Sequence, residues 1–344
     1  MQSTLVVLKK YSIFVFLFVF LSCKEQSSFN VQQLRGAALG TTYAISYSNI
    51  EISKDQLKRE VDSVIDVMNA SMSTYIQSSD ISKINRGDDQ LVVDEHFIKV
   101  YEKATEVWKK TNGFFDPTVG ALVNAYGFGP EKALSQMNSK QRDSILLFTG
   151  WQKTKLTPAN TILKSHPNLR FDFNALAKGY AVDVVADLLR SKNFNSFLVE
   201  IGGEIVAEGI SPKSKKPWKV AVDDPNQDSQ KNFIKILSLT NKALATSGNY
   251  RKYKIDSLSG KRIAHSINPK TGEAVPSNVL SASVIAPDCM TADAYATALM
   301  VMPFDESKAL IEREPHLEAY WIVESTSGTI EEYYSSGFPS EESF

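Results

Sequence analysis

The sequence predicts an α+β fold with mixed, largely antiparallel sheets and helices packed against them. Three observations lead there. Strand-like runs cluster in the second half instead of alternating regularly with helices, which argues against a doubly wound parallel sheet. Several longer segments repeat apolar residues at helical spacing. No internal repeat of fixed period is present, which argues against a solenoid or propeller.

Residues 41–52, TTYAISYSNIEI, alternate well enough to form a strand. Leu57, Val61, Val64, Ile65 and Met68 predict an amphipathic helix over 55–70. Phe97, Val100, Tyr101, Ala104, Val107 and Trp108 do the same for 95–110. A third helix follows Ala177, with Ala181, Val184, Val185, Leu188 and Leu189 on one face. The β-rich run FNSFLVEIGG comes next, ending on Gly202-Gly203. Residues 218–223, 233–239, 281–286 and 319–324 read as strands, and 291–302 and 305–313 as helices. Residues 224–232 and 256–261 read as polar loops, and 335–344 as a mobile tail.

Composition narrows the function. Of 344 residues, 43% are apolar and 22% charged, which excludes a largely disordered chain and a polytopic membrane protein. The 38 basic and 39 acidic side chains nearly cancel, so no basic field for nucleic acid is expected. Two cysteines, Cys23 and Cys289, are too few for a disulfide framework, a Cys-rich zinc site or a four-Cys iron–sulfur cluster. Cys289 is expected to be a small buried residue.

The first 22 residues read as a secretory signal. Lys9 and Lys10 precede the apolar run Ile13–Leu21, which is shorter than the roughly 20 residues of a membrane-spanning helix. Phe20-Leu21-Ser22-Cys23 is similar to a bacterial lipobox, which makes Cys23 the expected lipidation site. The alternative is a plain signal anchor with a buried cysteine. Residues 23–37 are expected to be a tether, 38–334 the folded domain and 335–344 the tail. Lys24 supplies no acidic retention signal, which points to the outer membrane.

Four segments carry more glycine and polar residues than packing needs. The run 113–120, GFFDPTVG, continuing to NAYGFG at 124–129, reads as a ligand contact or as a turn-rich connection packed by its own aromatics. The run 171–183, FDFNALAKGYAVD, opens a helix beside Lys178, a natural setting for a phosphate. Asp172 reads equally as a cap there, and Lys178 as a solvated side chain. ATSGNY at 245–250 and HSINPKTG at 265–272 offer Thr246, Ser247 and His265 as proton-transfer or oxyanion partners. In TADAYATALM, Asp293 and Thr297 are four residues apart and share a helix face. Such an oxygen pair suits Mg²⁺, or the residues are a helix-start aspartate and a back-bonded threonine.

Taken in order, these segments resemble the ApbE family of FAD:protein FMN transferases. LGTTY at 39–43, MSTY at 72–75, DISKIN at 80–85 and VEIGGE at 199–204 complete the resemblance, which runs from about residue 38 to 325. The resemblance implies an ApbE-type catalytic unit. It would bind FAD with Mg²⁺ or another divalent cation and transfer FMN to a threonine of an acceptor flavoprotein, releasing AMP. It implies Asp293, Thr297 and the main-chain carbonyl of Ala175 as metal ligands. Leu39, Tyr75, Phe114, Phe115, Asp116, Asp172, Lys178 and Ile267 are implied as nucleotide contacts. Leu39 stands where methionine is common in the family. His265 is the candidate for deprotonating the acceptor threonine, and a metal-bound threonine alkoxide with Asp293 close by is the competing account. The expected location is extracytoplasmic, lipid-anchored on the periplasmic side of a bacterial membrane.

An FAD pyrophosphatase giving FMN and AMP shares the whole site, and a non-catalytic FAD-binding lipoprotein would lose the metal pair. Lys270-Thr271-Gly272 fits one element of a penicillin-recognising serine hydrolase, but the required S-x-x-K is absent from the sequence. No H-E-x-x-H occurs, which disfavours a zinc peptidase.

Overall fold

The structure is a computed structural model that describes residues 31–48, 51–134, 137–223, 233–249, 253–255, 262–274 and 278–339. The chain opens with β1 (Gln32–Ala38) and β2 (Thr41–Tyr47), then α1 (Lys54–Met72), α2 (Asp80–Arg86), α3 (Glu95–Lys110), α4 (Gly120–Ala125) and α5 (Ser139–Leu146). The small hairpin β3 (Thr154–Leu156) and β4 (Ile162–Lys164) precedes α6 (Ala177–Ser191). Next come β5 (Phe197–Ile201), β6 (Glu204–Glu208), β7 (Trp218–Asp223), β8 (Phe233–Leu239), β9 (Lys242–Gly248), β10 (Tyr253–Ile255), β11 (Arg262–Ala264) and β12 (Val279–Ala286). The chain closes with α7 (Cys289–Leu299), α8 (Phe304–Arg313), β13 (Glu318–Glu324) and β14 (Ile330–Tyr334).

Among the described residues, eight strands form one sheet in the order β1-β2-β5-β6-β9-β12-β13-β14, and every neighbouring pair is antiparallel. Alternation along the strands sorts side chains to two faces. On β9, Ala243 and Ala245 join the core beneath the helices, while Leu244 joins a second core with Trp218, Val220 and Leu237 of the β7–β8 hairpin. The helical face is covered by α1, α6 and α7, with α3 packed on α1 and α7. The predicted periodicities hold there: Leu57, Val61, Ile65 and Met68 are buried on α1, and Phe97, Val100, Ala104 and Val107 on α3. Each such side chain contributes about 1.5–3 kcal/mol on full burial. α7 is buried on almost every side, and Ala292, Ala294, Ala296 and Ala298 let it lie close to its neighbours.

Several expectations are corrected. The strand foreseen over 41–52 stops at Tyr47, because Ser53 caps α1 by accepting a hydrogen bond from the Gln56 N–H. Residues 32–37, expected in the tether, form most of β1, pairing with β2 from Gln32↔Tyr47 onward. The tail is partly packed: the Ala319 N–H donates to Ser335 Oγ, and Phe338 is buried against Tyr320. The signal segment, Cys23, the loops 224–232 and 256–261 and the last five residues lie outside the described residues. Cys289 is a free, buried cysteine, as expected.

Candidate active site

Two hairpin tips meet at one end of the sheet. Leu39-Gly40 joins β1 to β2 and Gly202-Gly203 joins β5 to β6, all four with positive φ (50°, 76°, 62° and 107°). Both are two-residue turns of the kind that follows strand twist. The tips touch: the Gly202 N–H donates to Thr42 O at 3.1 Å, and a Cβ on Gly202 would lie 2.8 Å from Thr41 Cγ2. Leu39 occupies a left-handed position that costs a non-glycine residue about 1–2 kcal/mol. Strain of this kind concentrates at ligand-contacting turns.

The two aromatic–aspartate segments run side by side. The Gly120 N–H donates to Arg170 O at 3.1 Å and the Asp172 N–H to Pro117 O at 2.8 Å. A Cβ on Gly120 would stand 2.7 Å from Arg170 O, so this approach requires glycine. From the other side, Asn85 acts as a surrogate strand: its amide donates to Phe171 O (2.9 Å) and accepts from the Phe171 N–H (2.7 Å). Asp172 Oδ1 accepts from the Asn174 N–H at 2.8 Å and so shapes the turn into α6. Ala175 lies half-buried in that turn.

Asp116 is turned into the protein. Its Oδ1 accepts from the Thr118 N–H (2.8 Å) and hydroxyl (2.6 Å), and Oδ2 from the Trp151 N–H (2.9 Å). Burial pushes its acidity range upward against these hydrogen bonds. Its visible work is to fold the loop that carries Phe114 and Phe115. Both rings are buried, and Lys270 Nζ lies 3.7 Å from the centre of the Phe114 ring.

The candidate centre lies between α6 and α7. Asp288 caps α7 through the Thr291 N–H, and Asp183 of α6 accepts from the Cys289 and Met290 N–H groups, each at 2.8 Å. A Cβ on Gly179 would fall 2.3 Å from Cys289 O and 2.8 Å from Asp293 Cβ. The missing side chain therefore lets the helices touch, and the Gly179 N–H donates to Asp293 Oδ2 at 3.0 Å. Lys178 Nζ lies 3.7 Å from that oxygen and 2.6 Å from Glu204 Oε1. Glu204 and Asp293 are each 3% exposed, and Glu204 Oε2 accepts no hydrogen bond.

Burial raises Asp293 above the ordinary carboxylate range, against the pull of Lys178 and the Gly179 N–H. Burial, aided by the Asp293 charge, brings Glu204 to about 7 despite Lys178. For Lys178, burial disfavours the charge, but Asp293 and Glu204 outweigh it and hold the ammonium protonated.

One turn beyond Asp293, the Thr297 hydroxyl is 3.3 Å from Ser247 Oγ on β9. Strand alternation explains why Ser247 reaches α7 while the adjacent Thr246 pairs with Ser283 at 2.8 Å.

An aromatic rim is built by other loops. Tyr75 is 60% exposed and donates its hydroxyl to Phe128 O at 3.2 Å. Burial raises the Tyr75 hydroxyl's acidity range, and the Asp172 charge adds to it. His265, half-buried after β11, packs its ring edge-on to Phe128 at 6.4 Å. Ser266 donates to Asn249 Oδ1 at 3.0 Å, and Ile267 is buried in a bridge to Ala274.

The structure therefore joins Lys178 to Asp293 and brings Tyr75 within the electrostatic reach of Asp172, while His265 sits with Phe128 on the rim. Glu204, Asn85 and Gly179 received no individual role from the sequence. Glu204 had a signal, since it directly follows a Gly-Gly turn; Asn85 had none, because a helix-end asparagine reads as surface.

Among the described residues, no group of three or more His, Cys, Asp or Glu is arranged to hold a metal ion. A hard cation takes another set: one carboxylate, neutral oxygens, water and substrate phosphate. Asp293 and Thr297 are of that kind, and two buried carboxylates share one ammonium, leaving an excess negative charge. The residues present fit a divalent cation.

An antiparallel α+β body thus carries two buried carboxylates and a lysine between the start of α6 and the middle of α7. Comparison makes this particular: the chain belongs to the ApbE family, whose model matches residues 39–321. It is 36% identical over 311 residues to an FAD:protein FMN transferase of Vibrio cholerae serotype O1, covering 89% of this chain and 91% of that one. It is 33% identical over 325 residues to the FAD:protein FMN transferase of Haemophilus influenzae, covering 90% of each. The solved flavin transferase ApbE from Vibrio cholerae superposes with a TM-score of 0.80 at 34% identity, over 90% of this chain and 98% of that one.

Proposed function

We propose that this chain transfers the FMN half of FAD to a threonine hydroxyl of an acceptor flavoprotein, with AMP leaving, and that it does so with Mg²⁺. Asp293 carries the reading. It is a buried carboxylate fixed by the Gly179 N–H, with Thr297 one helical turn away, in a member of a family whose relatives bear this activity by name.

Asp293, Thr297 and the main-chain carbonyl of Ala175 would hold the cation. When bound, it neutralises charge on the diphosphate, which is most of what phosphoryl transfer asks of a protein besides positioning. The protein's own groups do the rest. Lys178, at the first turn of α6, places a positive charge beside the leaving phosphate. Tyr75 offers an exposed ring to the nucleotide, and Leu39, the Phe114–Asp116 loop, Asp172 and Ile267 are the remaining contacts. His265, on the rim, accepts the proton of the attacking threonine, so that one P–O bond forms as the pyrophosphate P–O bond breaks. The lipobox-like Cys23 supports an extracytoplasmic, membrane-anchored enzyme working on acceptors in the same compartment.

The test is incubation with FAD, Mg²⁺ and a candidate acceptor, followed by mass spectrometry of the acceptor. The expected result is an FMN adduct on a threonine with stoichiometric AMP. Free FMN without modified acceptor assigns the chain to FAD hydrolysis instead.

A further inference from the structure

Lys178 and Gly179 are neighbours on α6, and both address the same oxygen. The Gly179 N–H donates to Asp293 Oδ2 at 3.0 Å, while the Lys178 ammonium stops at 3.7 Å, beyond hydrogen-bond distance. It stops there because Glu204 Oε1 holds it at 2.6 Å. Glu204 is the first residue after the Gly202-Gly203 turn, so its backbone is anchored by the sheet. Asp293 packs its Cβ against Gly179 and its Oδ2 is tied to the Gly179 N–H.

Glu204 is an expensive residue to keep. It is 3% exposed and its Oε2 has no hydrogen-bond partner, so the carboxylate is held without full compensation for its lost hydration. What the carboxylate does is set the position of one cation relative to another acid.

We propose that Glu204 is a positioning residue: it draws the Lys178 ammonium off Asp293 and so leaves the Asp293 carboxylate open to a divalent cation. The inference rests on the cation site proposed above. Without Glu204, the flexible lysine stem lets the ammonium close by about 1 Å onto Asp293 Oδ2 as a direct ion pair. A divalent ion would then meet a carboxylate already neutralised, with a positive charge a few ångströms away. Glu204 thus lets Lys178 stand at the cleft for the diphosphate without occupying the metal ligand.

The test is a double-mutant cycle on Mn²⁺ binding to the nucleotide-free protein, read by electron paramagnetic resonance of free Mn²⁺. It uses wild type, Glu204→Gln, Lys178→Met and the double variant, each checked by circular dichroism, with Asp293→Ala as the site control. The expected result is binding at least about tenfold weaker in Glu204→Gln, equal to about 1.4 kcal/mol. Lys178→Met should bind at least as tightly as wild type, and adding Glu204→Gln to it should weaken binding severalfold less than the same change does when Lys178 is present. An equal loss from Glu204→Gln with and without Lys178 overturns the proposal, since Glu204 would then act through its own charge or as a ligand. Unchanged Mn²⁺ affinity in Glu204→Gln, where Asp293→Ala abolishes binding, also overturns it. Binding indifferent to Asp293→Ala removes the cation site itself, and this inference with it.

Discussion

The two faces of the sheet each bury a lysine, and the two are treated in opposite ways. On the hairpin-covered face, Lys235 is 6% exposed, lies 4.3 Å from the Tyr334 ring centre and 5.2 Å from that of Tyr320, and donates to Tyr334 Oη at 2.7 Å. Its charge is spread over aromatic faces, with Glu332 at 3.9 Å as the nearby acid. On the helical face, Lys178 sits between two nearly inaccessible carboxylates, and one oxygen of the pair is left without a hydrogen bond. The first arrangement fastens a hairpin to a sheet. The second holds two buried carboxylates on a single, partly exposed ammonium, which costs stability and makes sense where a ligand offsets it.

The comparison can be broken most forcefully at Lys178. Lys178→Met leaves Glu204 and Asp293 facing each other and should cost about 2–3 kcal/mol, below the roughly 3–5 of a fully enclosed pair because the lysine side chain is 29% exposed. The loss should grow with pH. Glu204, at about 7 in the folded protein, lies above its unfolded value of about 4.3. Its favourable contribution is therefore complete below about pH 4 and is lost as pH rises through about 7. Removing the ammonium pushes Glu204 higher and steepens that decline. Melting curves at pH 5 and pH 8 check this; a variant equally destabilised at both would contradict the assigned charge balance.

Next comes Gly179→Ala. The new Cβ meets a carbonyl oxygen at 2.3 Å, so α6 and α7 must separate. Overpacking of this kind costs about 1–3 kcal/mol. The shift should also detach the Gly179 N–H from Asp293 and lower the transfer rate, which a stability-matched α1 variant such as Val61→Ala would not do. The smallest effect is expected at Lys235→Met, about 1 kcal/mol from the lost cation–π and hydroxyl contacts, with FAD affinity and transfer rate unchanged. A rate change there would show that the hairpin face communicates with the cleft.

Legibility from sequence follows the range of the interactions. α1, α3 and α6 were readable because each buries one regular stripe, and the α7 pair Asp293/Thr297 because helical spacing fixes their common face. β1 was missed because Gln32, Gln33 and Arg35 alternate with Leu34 and Gly36 on an edge strand with little hydrophobic signal. The packed end of the tail depends on Phe338 finding Tyr320, a tertiary contact with no local pattern. At the site, the glycine-rich loops were legible as unusual, but their partners were not. Asn85 bonding to Phe171, Asp116 to Trp151 and Glu204 to Lys178 join positions far apart in the chain. Only Glu204 advertised itself, through its glycine turn.

Asp293 is the residue on which the proposed divalent-cation chemistry depends. The most direct measurement is flavin transfer from FAD to an acceptor by wild type and by Asp293→Ala, over a Mg²⁺ titration, with circular dichroism of both proteins. Wild type should need Mg²⁺ and lose transfer on chelation, while a folded Asp293→Ala should label no acceptor at any Mg²⁺ concentration. Transfer at the wild-type rate by that variant would contradict the account.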